Sequence, residues 1–130
     1  MGPGARKLVP PLIQIFGTKK CADSRRAERW WKERSYLISF LDLKVRAPSP
    51  GELRSIAQAV GSSEALIDRQ GARYRDRGLL TAAPTGPRIA QHLVEDPQLL
   101  RTPIVRCNKM ATVGFADETW EVWIRDGRLE

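Results

Sequence analysis

The chain has 130 residues, of which 42% are hydrophobic, enough for one folded core and too many for global disorder. Lysine and arginine number 22 against 15 aspartates and glutamates, a net charge of +7 that favours anionic ligands or surfaces. Two cysteines, Cys21 and Cys107, and one histidine, His92, exclude a disulfide scaffold and a structural zinc site. His92 lies beside an apolar helical face and reads as a surface or boundary residue, so no metal site is expected. The apolar runs fall far short of the ~20 residues a membrane-spanning helix needs. The basic N-terminus has no apolar stretch of signal-peptide length behind it. The expected location is cytoplasmic, with no membrane partner.

Residues 1–11 hold three prolines and two glycines and read as an irregular leader. Leu12, Ile13, Ile15 and Phe16 form a short apolar run closed by Gly17, the pattern of a buried strand. From residue 22 to about residue 34 the period changes. Ala27, Trp30 and Trp31 share one helical face, and charged residues occupy most of the rest. Residues 36–41 make a second apolar run rich in strand formers, closing at Asp42, Leu43 and Lys44. Strand, helix and strand at this spacing define a βαβ unit with parallel strands.

Ser49, Pro50 and Glu52 carry the clearest local signal, with a cap, a first helical position and the return half of a capping box. Leu53, Ile56, Ala57 and Val60 follow at helical spacing, and Gly61 stops the helix. A second short helix is expected over residues 63–70. A third begins at Pro87, with Ile89, Ala90, Leu93 and Val94 inward and Asp96 and Pro97 ending it. Residues 44–100 thus read as a mostly helical insertion. Two β-rich runs around Asn108 and Lys109 then predict a hairpin. Asp117 is placed to cap a last helix with Trp120, Trp123 and Ile124 inward, and residues 126–130 remain as a tail.

Cys21 falls between the first strand and the first helix. There the unpaired N–H groups and the positive end of the helix dipole stabilise a thiolate and attract anions. Lys19, Lys20, Arg25 and Arg26 add positive charge. Ser24 stands where a resolving cysteine would stand in a Cys-x-x-Cys pair, and its hydroxyl can hydrogen-bond the sulfur or cap the helix without forming a disulfide. Redox cycling at Cys21 therefore needs an external thiol or the distant Cys107. Cys107, near the hairpin turn, reads as structural or exposed. Arg69, Arg73, Arg75, Arg77 and Arg88 form a second basic cluster, whose plainest reading is a solvated surface. The tryptophans pair at helical spacing, as core residues do, and residues from Asp117 onward hold five acids against two arginines. Nucleic acid is not the expected partner.

Lys20, Cys21, Ala22, Asp23, Ser24, Arg25, Arg26 and Ala27, then Leu66–Arg69, Leu99–Val105 and Val113–Phe115, occur in an order that resembles the arsenate reductase / Spx (ArsC-like) family, over about residues 12–125. The resemblance implies an α/β thioredoxin-like fold (βαβ, helical insertion, ββα) with a mixed four-stranded sheet. It implies a cis peptide at Thr102-Pro103 that sets this turn against the Cys21 loop. It also implies a nucleophilic Cys21 assisted by Ser24, with Lys20, Arg25, Arg69, Arg101, Thr102 and Pro103 as anion-binding positions. Arsenate-reducing members use three arginines. Here the first falls at Asp68 or Arg69 depending on register, with Arg69 favoured, the second is replaced by Thr102 with Arg101 one position earlier, and the third falls near Val113. The likeness is closer to the branch of unassigned activity than to true arsenate reductases. It implies a thiol oxidoreductase with no tightly bound cofactor, glutathione as co-substrate, and a glutaredoxin- or thioredoxin-type reductant. The alternative is a non-catalytic, Spx-like interaction module that docks a partner such as RNA polymerase.

Overall fold

A computed structural model describes residues 11–129. The leader expected for residues 1–11 lies outside the described residues, Pro11 excepted. The elements in chain order are β1 Leu12–Gly17, α1 Ala22–Glu33, β2 Leu37–Asp42, α2 Pro50–Val60, α3 Ala72–Asp76, α4 Leu79–Ala82, α5 Pro87–Glu95, a 3₁₀ turn Pro97–Leu99, β3 Ile104–Cys107, β4 Met110–Val113 and α6 Asp117–Arg125. The sheet has four strands in the order β2-β1-β3-β4. β1 runs parallel to β2 and antiparallel to β3, and β4 closes a hairpin on β3. This is the mixed, thioredoxin-like arrangement expected.

The period of two along each strand sends alternate side chains to opposite faces of the sheet, and each face is covered by different helices. Ile13, Ile15, Val105 and Cys107 join Ala27, Trp30 and Trp31 of α1 and Trp120 and Trp123 of α6. Phe16 and Ile104 join Leu53 and Ile56 of α2, Tyr74, Leu79, and Ile89 and Leu93 of α5. The tryptophans are core residues. The rings of Trp30 and Trp31 lie 4.9 Å apart and those of Trp30 and Trp120 5.2 Å apart, edge to face. The Trp120 indole N–H donates to Thr112 Oγ1 at 2.7 Å, which satisfies it inside the core.

α2 forms as its sequence dictates. Ser49 Oγ accepts the Glu52 N–H, Glu52 Oε1 accepts the Ser49 N–H, and Gly61 ends the helix in a left-handed conformation at φ 109°. Glu52 Oε2 also faces Arg106 on β3 at 3.4 Å and Arg46 at 3.7 Å, tying the start of α2 to the sheet.

Residues 63–70 are not the helix expected. Ser62 and Ser63 make a turn, and Ile67 then pairs with Leu100 in an isolated bridge. The Asp68 N–H reaches the Leu99 carbonyl at 2.8 Å and the Arg101 N–H the Leu66 carbonyl at 2.7 Å. A distant segment thus supplies the hydrogen bonds a helix would have supplied locally. On α5, Ile89 and Leu93 are buried as expected, but Ala90 is exposed and Val94 is 45% exposed. They form the rim of a groove whose floor is Leu53, Leu66 and Leu93. Asp117 is the first residue of α6 rather than its cap, and its carboxylate accepts the Glu118 N–H. In the segment expected as a tail, Leu129 is buried among the α1 and α6 side chains.

Candidate functional site

β1 ends at Gly17, and four residues later Cys21 is the N-cap of α1. The Cys21 N–H donates to the Thr18 carbonyl at 3.2 Å, and the Cys21 carbonyl accepts the Arg25 N–H at 3.2 Å. This turn directs the half-buried thiol toward the segment before β3. There the Thr102-Pro103 peptide is cis, and Cys21 Sγ lies 3.7 Å from the Thr102 carbonyl oxygen.

Ser24 occupies the first turn of α1 with no exposed surface. Its hydroxyl accepts the Thr18 N–H at 3.4 Å and hydrogen-bonds the Cys21 sulfur. Burial pushes the Cys21 thiol upward. The Ser24 and Thr102 side chains and the backbone N–H groups of Ser24 and Asp23 outweigh that, and the thiol titrates below its ordinary value. Gly17 makes this packing possible, because a Cβ there would collide with Ser24 Oγ.

Cys21, Ser24, Thr102 and Pro103 therefore meet at one place. Lys20 is exposed beside them. Arg25 is also exposed, and its guanidinium donates to the Lys19 carbonyl, which fastens the cysteine loop to α1. Arg69 and Arg101 are brought together, lining a pocket of 330 Å³ with Glu64, Asp68 and Gln70; Cys21 does not line it, while Arg101 directly precedes the Thr102 that faces the sulfur. Arg69 is held by the Tyr74 hydroxyl at 3.0 Å and Glu64 at 3.5 Å, and Arg101 by the Ala65 carbonyl at 3.4 Å. Val113 is the last residue of β4.

The basic cluster that starts at Arg69 is partly neutralised. Asp96, buried at 4% exposure, takes a two-pronged ion pair from Arg73 at 2.7 and 3.1 Å and a further contact from Arg77 at 3.5 Å. Cys107 is buried in the cluster under α1 and α6, and burial raises its thiol. It lies one residue beyond the Gln14–Arg106 pair, at the start of β1, whereas Cys21 follows the end of β1. Four strand residues separate those ends, about 13 Å, against the roughly 7 Å limit between the Cα atoms of a disulfide. Among the described residues no three histidine, cysteine, aspartate or glutamate side chains converge to hold a metal.

Residue spacing did not single out Thr18 or Gly17. The glycine that closes β1 directly before the cysteine loop was the available signal for the second.

A thioredoxin-like sheet with a cysteine capping the first helix against a cis-proline turn defines the class. Within it, residues 16–123 match the model of the ArsC family, and the chain belongs to that family. It is 24% identical over 109 residues to the global transcriptional regulator Spx 2 of Bacillus anthracis, covering 82% of each chain. It is 27% identical over 106 residues to an arsenate reductase of Neisseria meningitidis, covering 80% of this chain and 91% of that one. Among solved structures, an ArsC-family-related protein from Bacteroides fragilis superposes with a TM-score of 0.75 at 20% identity, covering 84% of this chain and 94% of that one. An arsenate reductase from Vibrio cholerae superposes with a TM-score of 0.73 at 22% identity, covering 85% and 96%. No helix among the described residues is long and apolar enough to cross a membrane.

Proposed function

We propose that the chain is a single-cysteine thiol oxidoreductase in which Cys21 is the nucleophile and glutathione, met as its disulfide, is the substrate. The observation that carries this reading is the placement of Cys21 at the N-cap of α1, its sulfur 3.7 Å from the Thr102 carbonyl at the cis-proline turn and buried Ser24 in the first turn beside it. The Cys21 thiolate attacks one sulfur of a glutathione disulfide. A Cys21–glutathione disulfide forms, and the other glutathione leaves as thiolate. A second thiol, of the glutaredoxin or thioredoxin class, then attacks the glutathione sulfur and releases Cys21. Ser24 and the first-turn N–H groups stabilise the thiolate in both steps. Lys20 and Arg25 supply positive charge to an anionic substrate.

Arsenate is the less favoured oxyanion. Of the three arginines that arsenate-reducing members use, only the first is matched, at Arg69; Thr102 replaces the second with Arg101 one position earlier, and each missing charge-assisted hydrogen bond weakens the hold on the anion by roughly 1.5–3 kcal/mol. The likeness to Spx 2 supports a second reading, a non-catalytic module that docks RNA polymerase.

The test is the pH dependence of Cys21 alkylation by iodoacetamide in C107S protein, alone and with glutathione disulfide or arsenate. A pKa clearly below ~8.5 with protection by glutathione disulfide supports the oxidoreductase. An ordinary pKa with no protection rejects it, and stoichiometric capture of RNA polymerase would then support the second reading.

A further inference from the structure

The outer face of α1 carries a line of cations that runs on past Lys20 and Arg25, the two the site chemistry uses. Arg25, Arg29 and Lys32 recur at helical spacing and are exposed, and together with Glu28 they line one shallow groove. Lys19 and Lys20 continue the line into the cysteine loop, where Arg25 is fastened to the Lys19 carbonyl. Lys32 pairs with Glu28 at 3.4 Å, while Lys19, Lys20, Arg25 and Arg29 form no ion pair with a described residue. From Cys21 to Lys32 the line runs about 16 Å at the helical rise, longer than the ~10 Å a tripeptide spans fully extended.

We propose that this face docks a net-acidic protein surface whose own thiol meets Cys21. The proposal rests on the oxidoreductase reading and names the kind of partner that serves the same cysteine. A protein is favoured over a nucleic acid for two reasons. Glu28 sits within the cationic groove, which suits a partner of mixed charge and repels a uniform polyanion. The tryptophans that could stack on bases are packed in the core.

The probe is C107S protein carrying 5-thio-2-nitrobenzoate in disulfide linkage on Cys21, challenged with cysteine peptides of equal length whose flanks are acidic, neutral or basic. The peptide thiolate attacks Cys21 Sγ, a Cys21–peptide disulfide forms, and thionitrobenzoate leaves as the coloured thiolate. At low ionic strength the acidic peptide is expected to react about 10-fold or more faster than the neutral one. The ratio should fall toward one at about 1 M salt, where the screening length is about 3 Å. It should also fall toward one in R29E/K32E, with the neutral-peptide rate unchanged.

A ratio near one in the starting protein, or one undiminished in R29E/K32E, overturns the proposal. So does a DNA oligonucleotide that binds more tightly than the acidic peptide and abolishes its advantage. The oxidoreductase reading fails separately, if iodoacetamide alkylates Cys21 of C107S protein with an ordinary pKa and glutathione disulfide gives no protection.

Discussion

Ser24 and Gly17 act as a pair. The hydroxyl that stabilises the Cys21 sulfur can lie where it does because residue 17 has no side chain, and this sets two expectations. Ser24→Ala removes a hydrogen bond to the thiolate, so the Cys21 pKa rises and alkylation at neutral pH slows, while the far-ultraviolet spectrum stays unchanged. Gly17→Ala forces Ser24 to move and costs about 1–3 kcal/mol in denaturant unfolding, the range for overpacking a filled interior. The two thiols also pull stability in opposite directions with pH. Cys21 titrates below its unfolded value of 9.0, so between its folded pKa and 9.0 the native state binds fewer protons and stability rises with pH. Cys107 titrates above 9.0, so it keeps its proton where the unfolded chain loses it, and its contribution falls as pH rises past 9.0. Chemical unfolding followed from neutral to alkaline pH in C21S and C107S separates the two slopes. Iodoacetamide should label Cys107 only after unfolding.

At the scale of elements, the best-read segment is also the most directly testable. Ser49→Ala removes one half of the α2 capping box and should cost about 1 kcal/mol. Glu52→Ala should cost more, because the same carboxylate meets Arg46 and the half-buried Arg106. Thermal unfolding of both variants decides the order, and equal losses would show that the link from α2 to the sheet contributes nothing. What was legible here was local. Ser49, Pro50, Glu52 and Gly61 carry their own start and stop signals, and the tryptophans at helical spacing marked the buried faces of α1 and α6. Residues 63–70 were illegible for the opposite reason, since their backbone partners are Leu99, Leu100 and Arg101, more than thirty positions away. The same distance effect hides the site. Cys21 and Ser24 could be picked out by position, but that Arg69 and Arg101 share a pocket depends on how the whole insertion folds.

At the scale of the molecule, one sheet separates two apolar clusters that share strands but not helices. Leu93→Ala belongs to the cluster under α2 and α5, and Trp120→Phe to the cluster under α1 and α6. Their destabilisations should add to within about 0.5 kcal/mol, as independent sites do. A Trp31→Phe/Trp120→Phe pair, whose rings lie 5.7 Å apart, should depart from additivity. Urea titrations of the single and double variants measure both sums. Strong coupling across the sheet would mean that the two faces fold as one jigsaw rather than two.

The register of β1 against β3 holds the two sulfurs at opposite ends of a strand. The chain consequently has no Cys21–Cys107 disulfide form. Whatever oxidant reaches Cys21, the product is either a change on that sulfur alone or a covalent attachment to something else, visible as added mass on an intact-protein spectrum. Its redox state is thus recorded in what it is joined to, and a cell extract alkylated under non-reducing conditions carries that record.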